Sequence, residues 1–394
     1  MRNMALKDLC IMKSGGTPSR KNPSFYEGEI PWAKISDLEF SPDGYIHDTK
    51  EHITQEALAS INNRFFDAGT LFLAMYGSVG KTGISKIPMT TNQAILGINI
   101  KEKDLLDIDY LKYWFKTIKQ RLLNRAVGAA LPNISLTIVK ELKIPLPPLD
   151  QQKKIAAILD AADNYRQKTK ALIKKYDELT QSLFLELFGD PVRNPKGWEK
   201  VPLKDVIVKI GRGKSPKYSE YETGFWAINQ KCIQWGVINP IHKKPILESF
   251  FLDLKNEFKA KKDDVLVNST GTGTLGRSSV YNLETDDMID SHVTIVRPIL
   301  GDVKSIFLSV FFNQKNIQSE IYRTSVTGST NQIELNKESF SKFQIYLPDL
   351  SIQNQFAERV QAIEAQKAQA QASLAQAEYL FNSLLQRAFK GELV

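Results

Sequence analysis

The sequence has few of the residues on which several protein classes depend. It contains two cysteines among 394 residues, Cys10 and Cys232, which excludes a disulfide framework or a cysteine zinc cluster. Its histidines lack metal-ligand spacing such as H-E-x-x-H; they are His47, His52, His242 and His292. No stretch approaches the roughly 18 apolar residues of a membrane helix, and the N-terminus lacks a signal-peptide core. A cytoplasmic location is therefore expected.

Motifs of common catalytic classes are also lacking. An amino-methyltransferase needs a loop of the type Asn/Asp-Pro-Pro-Tyr/Phe, whereas the two nearest stretches, "KNPSFY" and "INPIHK", have a single proline each. No Asp…Glu-x-Lys nuclease cluster and no Ser-His-Asp set can be assembled from the sequence. The sequence therefore predicts a protein that has no catalytic or metal-binding residues.

Charge gives the first positive indication of a partner. Lys and Arg number 52 against 44 Asp and Glu, a net charge of +8, and the isoelectric point is about 9.1. An excess of this size is too small to indicate a basic tail, but it favours a polyanionic partner over an acidic one. The length of 394 residues leaves room for two or three domains with cores of their own.

The chain consists of two similar copies. The matching stretches are "LKDLCIMKSGGTPSR" from Leu6 with "LKDVIVKIGRGKSPK" from Leu203, Trp32 with Trp226, Gly80-Lys81 with Gly276-Arg277, and "LKIPLPPLDQQKKIA" from Leu142 with "FQIYLPDLSIQNQFA" from Phe343. The offset varies between 194 and 201 at first and then stays at 201 through the last quarter of each copy. Since loops tolerate insertions and deletions, each copy has a variable globular part followed by a segment of fixed length.

The segment of fixed length has the pattern of a long helix in both copies. Pro147-Pro148 and Pro348 block an earlier start, Asp150 and Ser351 are candidate N-caps, and Gly189 ends the first helix. The apolar seams, with spacings of three and four, are Ile155, Ile158, Ala162, Tyr165, Thr169, Leu172, Tyr176, Leu179 and Leu183 in the first helix, and Phe356, Val360, Ile363, Lys367, Ala370, Leu374, Ala377, Phe381, Leu384 and Ala388 in the second. Matched length and register predict that the helices pair as a coiled coil, with two separate amphipathic helices as the alternative.

The globular parts are predicted to be α+β domains. Short β-rich runs, "TLFLAMY" and "AILGINI" in the first copy and "DVLVNS" and "HVTIVRP" in the second, are separated by Gly, Asn and Pro turns. A helical stretch follows in each copy, "DIDYLKYWFKTIKQRLLN" and "SIFLSVFFNQKNIQSEI". The predicted organisation is a first domain over 1–148, a central helix over 149–190, a second domain over 191–350 and a C-terminal helix over 351–394.

Two glycine-rich loops, "LAMYGSVGKTGIS" and "LVNSTGTGTLGRSSV", look like nucleotide-binding turns but do not fit that motif. A Walker A loop needs glycine where Met75 stands, and Arg277 replaces its lysine in the second copy. The G-x-G-x-x-G pattern in "GTGTLG" alone is a weak signal, and no helix pattern follows either loop to hold a phosphate. Both loops are therefore predicted to be hairpin tips that carry hydroxyls, amides and one cation.

The side chains on these and neighbouring loops suit DNA. Arg and Lys match phosphates or guanine edges, Asn and Gln match adenine edges, and Ser or Thr matches either. The stretches "KSGGTPSRK", "GRGKSPK" and "TGSTNQ" have the same chemistry. For any single residue, an ordinary solvated turn remains the alternative. The predicted DNA-binding residues are Lys13, Ser14, Thr17, Ser19, Arg20, Lys21, Tyr76, Ser78, Lys81, Thr82, Arg212, Lys214, Ser215, Lys217, Ser269, Thr270, Thr272, Thr274, Arg277, Ser278, Thr330 and Asn331.

The chain resembles the specificity subunit (HsdS) of type I restriction-modification systems. The resemblance rests on "GGTPSR…YEGEIPW", on "IPLPPLDQQKKIA" with its copy, on the helix ends "LFGD" and "AFKGEL", and on the repeat itself. It implies two target recognition domains, each reading one half of a bipartite DNA sequence, and two helices that pair antiparallel with pseudo-twofold symmetry.

The resemblance also implies partners. Two modification (HsdM) subunits would methylate adenine with S-adenosylmethionine, and restriction (HsdR) subunits would use ATP and Mg, so this subunit would bind no cofactor itself. About 39 helical residues at ~1.5 Å each span roughly 58 Å, nearly two DNA turns of ~34 Å, so helix length is predicted to set the spacer between half-sites. The alternatives are a standalone, two-headed, repressor-like DNA-binding protein and a nucleotide-dependent enzyme that uses the glycine loops.

Overall fold

The computed structural model describes residues 2–39, 44–126, 132–328 and 333–393. The chain forms two compact units, the first comprising Met1–Leu172 with Ala370–Val394 and the second Ile173–Gln369. Each unit therefore contains one globular repeat and one half of each long helix. The domain boundaries predicted at the helix ends stay predictions. Across the described ranges, no helix is long and apolar enough to cross a membrane.

The first globular repeat contains ten strands and five short or medium helices in its described part. The strands are β1 (Arg2–Ala5), β2 (Cys10–Ser14), β3 (Ile30–Ala33), β4 (Tyr45–Ile46), β5 (His52–Ile53), β6 (Leu71–Ala74), β7 (Thr82–Ser85), β8 (Thr90–Thr91), β9 (Ile95–Ile100) and β10 (Lys143–Leu146). The helices are α1 (Leu6–Leu9), α2 (Ile35–Glu39), α3 (Gln55–Ser60), α4 (Ile108–Arg125) and α5 (Leu136–Lys140), and the first long helix, α6 (Leu149–Phe188), follows.

The second globular repeat has a similar order of elements. Its strands are β11 (Glu199–Pro202), β12 (Ile207–Arg212), β13 (Trp226–Ile228), β14 (Lys244–Pro245), β15 (Val265–Asn268), β16 (Ser278–Val280), β17 (Asp287–Ile289), β18 (Val293–Pro298), β19 (Val326–Thr327), β20 (Glu334–Leu335) and β21 (Gln344–Leu347). Within the described ranges, this repeat has no counterpart of β4 in its main sheet and has an additional strand pair, β19 with β20. Its helices are α7 (Glu248–Leu252), α8 (Ser305–Phe312), α9 (Lys315–Ser325) and α10 (Lys337–Ser341), and the second long helix is α11 (Leu350–Lys390).

The sheets show that the sequence repeat is a structural repeat. The main sheet has strand order β2-β9-β6-β7-β4 in the first copy and β12-β18-β15-β16 in the second. Each copy also has a smaller three-stranded sheet, β5-β3-β8 or β14-β13-β17. In both, the central strand pairs parallel with one edge strand, β3 with β8 and β13 with β17. The antiparallel pairs β1-β10 and β11-β21 tie the start of each repeat to the residues just before its long helix. The predicted α+β class is confirmed.

The halves of the long helices pack antiparallel within each unit. Contact positions fall along α11 as they rise along α6, which confirms the predicted antiparallel pairing. In the first unit the contacts are Arg166 with the Phe381 ring at 4.5 Å and Lys170 with Glu378 at 2.8 Å. In the second unit they are Asp177 with Lys367 at 2.6 Å and the Phe184 ring with the Phe356 ring at 5.8 Å.

The buried face of α6 differs from the predicted seam at every second position. The predicted seam residues that are exposed are Ile158, Tyr165, Leu172 and Leu179. Leu159, Arg166 and Thr180 lie in the buried seam instead. Two of these three are polar, so apolar spacing alone indicates the neighbouring positions. The seam of α11 agrees better, since Phe356, Val360, Ala370 and Phe381 are buried.

A further correction concerns the helical stretch of the second repeat. It is continuous as α4 in the first repeat but breaks between α8 and α9 at Asn313 and Gln314. The Asn313 side chain accepts hydrogen bonds from the Ser278 backbone N–H (3.0 Å) and hydroxyl (3.1 Å), and it donates to the Ser278 carbonyl (2.9 Å). This use of the side chain at the C-terminus of α8 accompanies the break. The start positions also shift, because α6 and α11 begin at Leu149 and Leu350, one residue before the predicted caps.

Each long helix is fastened to its globular repeat by one buried glutamine. Gln152 donates to the carbonyls of Leu105 (2.8 Å) and Pro147 (2.9 Å) and accepts from the Asp107 N–H (3.0 Å). Gln353 lies 201 residues further on and repeats the pattern, with bonds to the Asp302 carbonyl, the Pro348 carbonyl and the Lys304 N–H. Both side chains are fully buried, so each satisfies backbone groups that water cannot reach.

Candidate nucleic-acid interface

The first loop of each repeat, residues 15–21 and 213–217, runs directly over backbone of its own domain. A Cβ on Gly15 would lie 2.1 Å from the Thr91 carbonyl oxygen, and a Cβ on Gly213 would lie 2.0 Å from that of Ile289. The Gly16 N–H donates to the Thr91 carbonyl at 2.8 Å. Glycine is therefore required at Gly15 and Gly213 for internal packing, and the residues that follow carry the exposed side chains.

The second element is the hairpin between β6 and β7, or between β15 and β16, whose tips are residues 75–81 and 269–277. The Gly80 N–H donates to the Ala74 carbonyl at 3.1 Å, and the Gly276 N–H donates to the Asn268 carbonyl at 2.9 Å. Both glycines have positive φ, +85° and +84°. A strand follows each tip, so the predicted hairpins are confirmed.

A short turn, which no sequence motif indicates, joins these two loops in both repeats. It is formed by Asn92, Gln93 and Ala94 in the first repeat. The Gln93 side chain is hydrogen-bonded to the Thr17 hydroxyl of the first loop. The Met75 N–H at the hairpin donates to the Ala94 carbonyl at 2.8 Å.

The second repeat has the same turn at Asp290, Ser291 and His292. The Ser215 hydroxyl of the first loop donates to the Ser291 hydroxyl at 3.3 Å. At the hairpin, the Thr270 hydroxyl lies 3.1 Å from the His292 Nδ1 atom. We call these two turns the bridging turns, because each brings the first loop and the hairpin tip of its repeat into one polar surface.

Tyr218 adds a polar ring to this surface in the second repeat. Its hydroxyl donates to the Asp290 carboxylate at 3.0 Å. Burial, together with the neighbouring Asp290 charge, raises the pKa of Tyr218 to about 12, so the hydroxyl stays protonated at neutral pH. The Asp290 carboxylate also accepts a hydrogen bond from the His292 N–H at 2.9 Å, which holds the side chain against its own turn.

Most of the predicted DNA-binding residues within the described ranges are exposed or half-buried. The exposed ones are Lys13, Thr17, Ser19, Arg20, Lys21, Tyr76, Lys214, Ser215, Lys217 and Thr272. The half-buried ones are Ser14, Ser78, Lys81, Thr82, Arg212, Thr270, Thr274 and Arg277. Thr330 and Asn331 lie outside the described residues. The role of each accessible residue in DNA binding remains a prediction.

Two predicted residues are not available to DNA. Ser269 and Ser278 are completely buried. The Ser269 hydroxyl lies 2.6 Å from the Thr294 hydroxyl in the main sheet, and the Ser278 hydroxyl donates to the Ser309 carbonyl of α8 at 2.8 Å. Ser278 is the first residue of β16, Ser269 is the tip residue that directly follows β15, and the hydroxyls of both satisfy internal partners. The structure corrects the prediction at these two positions.

Three predicted arginines are held by contacts within the protein. Arg20 pairs with Glu51 at 2.6 Å and lies 3.9 Å above the Tyr26 ring. Arg212 pairs with Glu334 at 3.1 Å. Arg277 donates to the Gly273 carbonyl at 3.0 Å, across its own hairpin tip. These contacts hold the three guanidinium groups in fixed orientations. Lys21 and Lys217, at the ends of the two first loops, are exposed.

The comparison with known proteins agrees with the duplicated architecture. The family model described as the type I restriction modification DNA specificity domain matches residues 1–180 and again residues 195–379. The chain belongs to the type I restriction-modification DNA specificity family. Each of the two matches covers one globular repeat and most of the long helix that follows it.

Relatives within this specificity family are specificity subunits of type I restriction enzymes. The MjaIX specificity subunit of Methanocaldococcus jannaschii is 31% identical over 237 residues, 55% of this chain and 54% of that protein. The chain thus matches about half the length of that relative. The MjaVIII subunit of the same organism is 26% identical over 315 residues, 76% of this chain and 70% of that protein.

Solved structures of the specificity family share the fold. The S subunit of a type I system from M. genitalium superposes with a TM-score of 0.61 at 16% identity, covering 98% of this chain and 96% of that one. A second structure, described in terms of complex assembly and conformational transition of the type I system, gives a TM-score of 0.58 at 20% identity, covering 100% and 98%. The predicted family and its two-repeat, two-helix architecture are confirmed.

Proposed function

We propose that this specificity-family protein reads a bipartite DNA sequence, with each globular repeat reading one half-site through its bridging turn, first loop and hairpin tip. The observation that carries the proposal is the recurrence of this three-part polar surface in both repeats, built by equivalent hydrogen bonds but with different side chains. Gln93 in one turn corresponds to Ser291 in the other, at an offset of 198. Groups with different donors and acceptors select different base edges, so the two half-sites differ in sequence.

The proposal includes docking of two modification subunits on the long helices. Apolar residues of α6 that lie outside the buried seam support this docking. Ile158, Tyr165 and Leu172 are 38%, 56% and 42% exposed. They recur every seven residues along α6 and so form one stripe. Exposed apolar stripes at helical spacing suit a partner helix. In this proposal methylation with S-adenosylmethionine belongs to the modification subunits, and ATP and Mg belong to the restriction subunits.

A binding assay separates this function from that of a standalone repressor. The protein is expressed with and without a type I modification subunit and tested for pull-down of that subunit and for DNA affinity. A specificity subunit should form the complex and bind its target tightly as part of it. Tight, sequence-specific DNA binding by the chain alone, with no complex formed, would favour the repressor-like alternative.

The spacer is tested by changing helix length. α6 has 40 residues, a rise of about 60 Å, and four inserted residues add roughly 6 Å, or one to two base pairs. We expect an insertion after Gln167, made alone and together with an insertion opposite it in α11, to lengthen the unread spacer. Sequencing of methylated adenines in cells that carry the complex gives the target. An unchanged spacer in an active double-insertion complex would refute the helix-length rule.

A further inference from the structure

The contact between each globular repeat and its long helix differs sharply between the two units. In the first unit, α4 and α6 meet through the buried Lys112 and half-buried charged side chains around it. The Lys112 ammonium lies 2.8 Å from the Asp109 carboxylate and 3.1 Å from that of Asp160. The Lys116 ammonium lies 2.8 Å from the Asp163 carboxylate, which Arg166 also contacts at 2.6 Å. Cations of the chain itself therefore fill this interface.

The equivalent positions in the second unit carry shorter, neutral side chains. Lys112 corresponds to Ser309 and Lys116 to Asn313, at the offset of 197. On the helix side, Asp160 corresponds to Gln361, and Asp163 and Arg166 correspond to Glu364 and Lys367, at the offset of 201. One carboxylate is therefore kept, but the two ammonium groups that would reach toward it are gone.

An open cavity of about 440 Å³ occupies this place in the second unit. Its floor includes Ser309, Val310 and Val360, which are at most 7% exposed, and its rim includes Glu364 and the half-exposed Trp235. The Ser309 hydroxyl oxygen is buried and has no hydrogen-bond partner within the described part of the chain. A buried polar atom of this kind indicates a missing polar group, and the volume is that of a ligand-sized site.

The charges around the cavity favour a cation. Lys367 is largely satisfied by Asp177 at 2.6 Å and lies 3.6 Å from Glu364. The charged residues that line the cavity are Lys262, Asp263 and Glu364, an excess of one negative charge. A lysine side chain has an apolar stem for the floor and an ammonium for the Glu364 carboxylate on the rim.

We propose that this cavity receives a lysine side chain of the modification subunit, in the place that Lys112 and Lys116 fill in the first unit. The inference rests on the proposed docking of modification subunits. It makes the second unit a receptor for a partner residue, whereas the first unit closes the same position with its own chain. The two docking positions are therefore chemically different.

A zero-length carbodiimide cross-link tests the pairing directly, because it joins a carboxylate to an amine in salt-bridge contact. The complex with modification subunits is cross-linked in a Lys367→Arg background, which removes the neighbouring amine of the chain, and is analysed by mass spectrometry. We expect a peptide that joins Glu364 to a lysine of the modification subunit. A Glu364 that is joined to Lys262 of its own chain, or to nothing, in an intact complex would overturn the proposal.

Substitutions give an independent measurement. Ser309→Lys places in the cavity the residue type that the first unit has there, and Glu364→Gln removes the carboxylate. Each should weaken modification-subunit binding about tenfold, as expected for a partly desolvated charge pair. The matched controls, Ser319→Lys and Glu358→Gln, change exposed positions and should leave binding unchanged. If the unmodified chain binds no modification subunit, the proposed function itself fails; if both test variants bind as their controls do, only the cavity proposal fails.

Discussion

The two globular repeats use the same apolar contact with the long helices but opposite polar chemistry beside it. Tyr110 of α4 lies 4.9 Å from the Phe389 ring in the first unit, and Phe307 of α8 lies 4.8 Å from the Phe188 ring in the second. Two residues further along each helix, the first unit has Lys112 with its carboxylate partners and the second has Ser309 and an open cavity. The apolar contact and the glutamine bonds thus define the attachment, and the polar positions are free to diverge.

This difference has an energetic consequence. Burying charges costs free energy that good pairing only just offsets, so an intact buried network contributes little net stability. Loss of one member is costly, however, because its partners remain buried and unpaired. The first unit should therefore be sensitive to single substitutions in this contact, while the second unit, where α8 contributes no charged side chain to it, should tolerate them.

The largest expected effect is that of Lys112→Ala. The Lys112 side chain is 2% exposed and contacts two carboxylates, so its removal should lower the free energy of unfolding of the first unit by about 3–5 kcal/mol. Hydrogen–deuterium exchange of α4 amides and the urea midpoint measure this. Ser309→Ala is the matched control, because it removes a hydroxyl without a described partner, and it should be neutral or slightly stabilising. Equal losses from both variants would contradict the comparison.

The buried glutamines should give a smaller effect that is equal in both units. Gln152→Leu and Gln353→Leu each leave two carbonyls and one N–H of buried backbone without their partner. At about 1–3 kcal/mol for each unsatisfied group, partly relieved by water, we expect about 2–4 kcal/mol per variant. Gln355→Leu, on the exposed side of α11, serves as the control. A loss confined to one unit would show that the two attachments are not equivalent.

The sequence alone predicts those parts of the fold that depend on local periodicity. The repeat, the long helices and the two hairpins follow from spacing, glycine and proline, and all are present. The helix seam of α6 could not be chosen correctly, because Arg166 and Thr180 lie in the buried face and apolar residues lie beside them. Burial of a polar residue depends on a partner elsewhere in the chain, such as Phe381 for Arg166, which spacing does not reveal.

The candidate interface was predicted less completely than the fold. The loops with glycine and a cation were identified, but the bridging turns were missed, since Gln93 and His292 stand in stretches without glycine or basic residues. Their shared signal is an Asx residue, Asn92 or Asp290, three positions before the first residue of a strand, and its side chain accepts a backbone N–H in both repeats. Ser269 and Ser278 illustrate the opposite error, because hydroxyl chemistry does not distinguish an exposed position of a hairpin from a buried one.

The smallest expected effect tests whether the two DNA-facing surfaces are equivalent. Lys21 and Lys217 are exposed at corresponding ends of the first loops. If each contacts a phosphate, replacement by alanine should reduce the slope of log K against log salt by about 0.9 and weaken binding several-fold, without changing the methylated sequence, since phosphate contacts carry no base information. Fluorescence anisotropy of the assembled complex at several salt concentrations measures the slope.

Lys103→Ala is the matched control for these lysines. Lys103 is also exposed, but it follows the far end of β9, away from the bridging turn at the start of that strand. Its replacement should leave the salt slope unchanged. Equal slope changes for Lys21→Ala and Lys217→Ala would mean that phosphate binding is shared by the repeats and that their specificity differs in the bridging turns. A changed methylation sequence in either variant would instead assign that lysine to base reading, and the repeats would then differ in how they use the same loop.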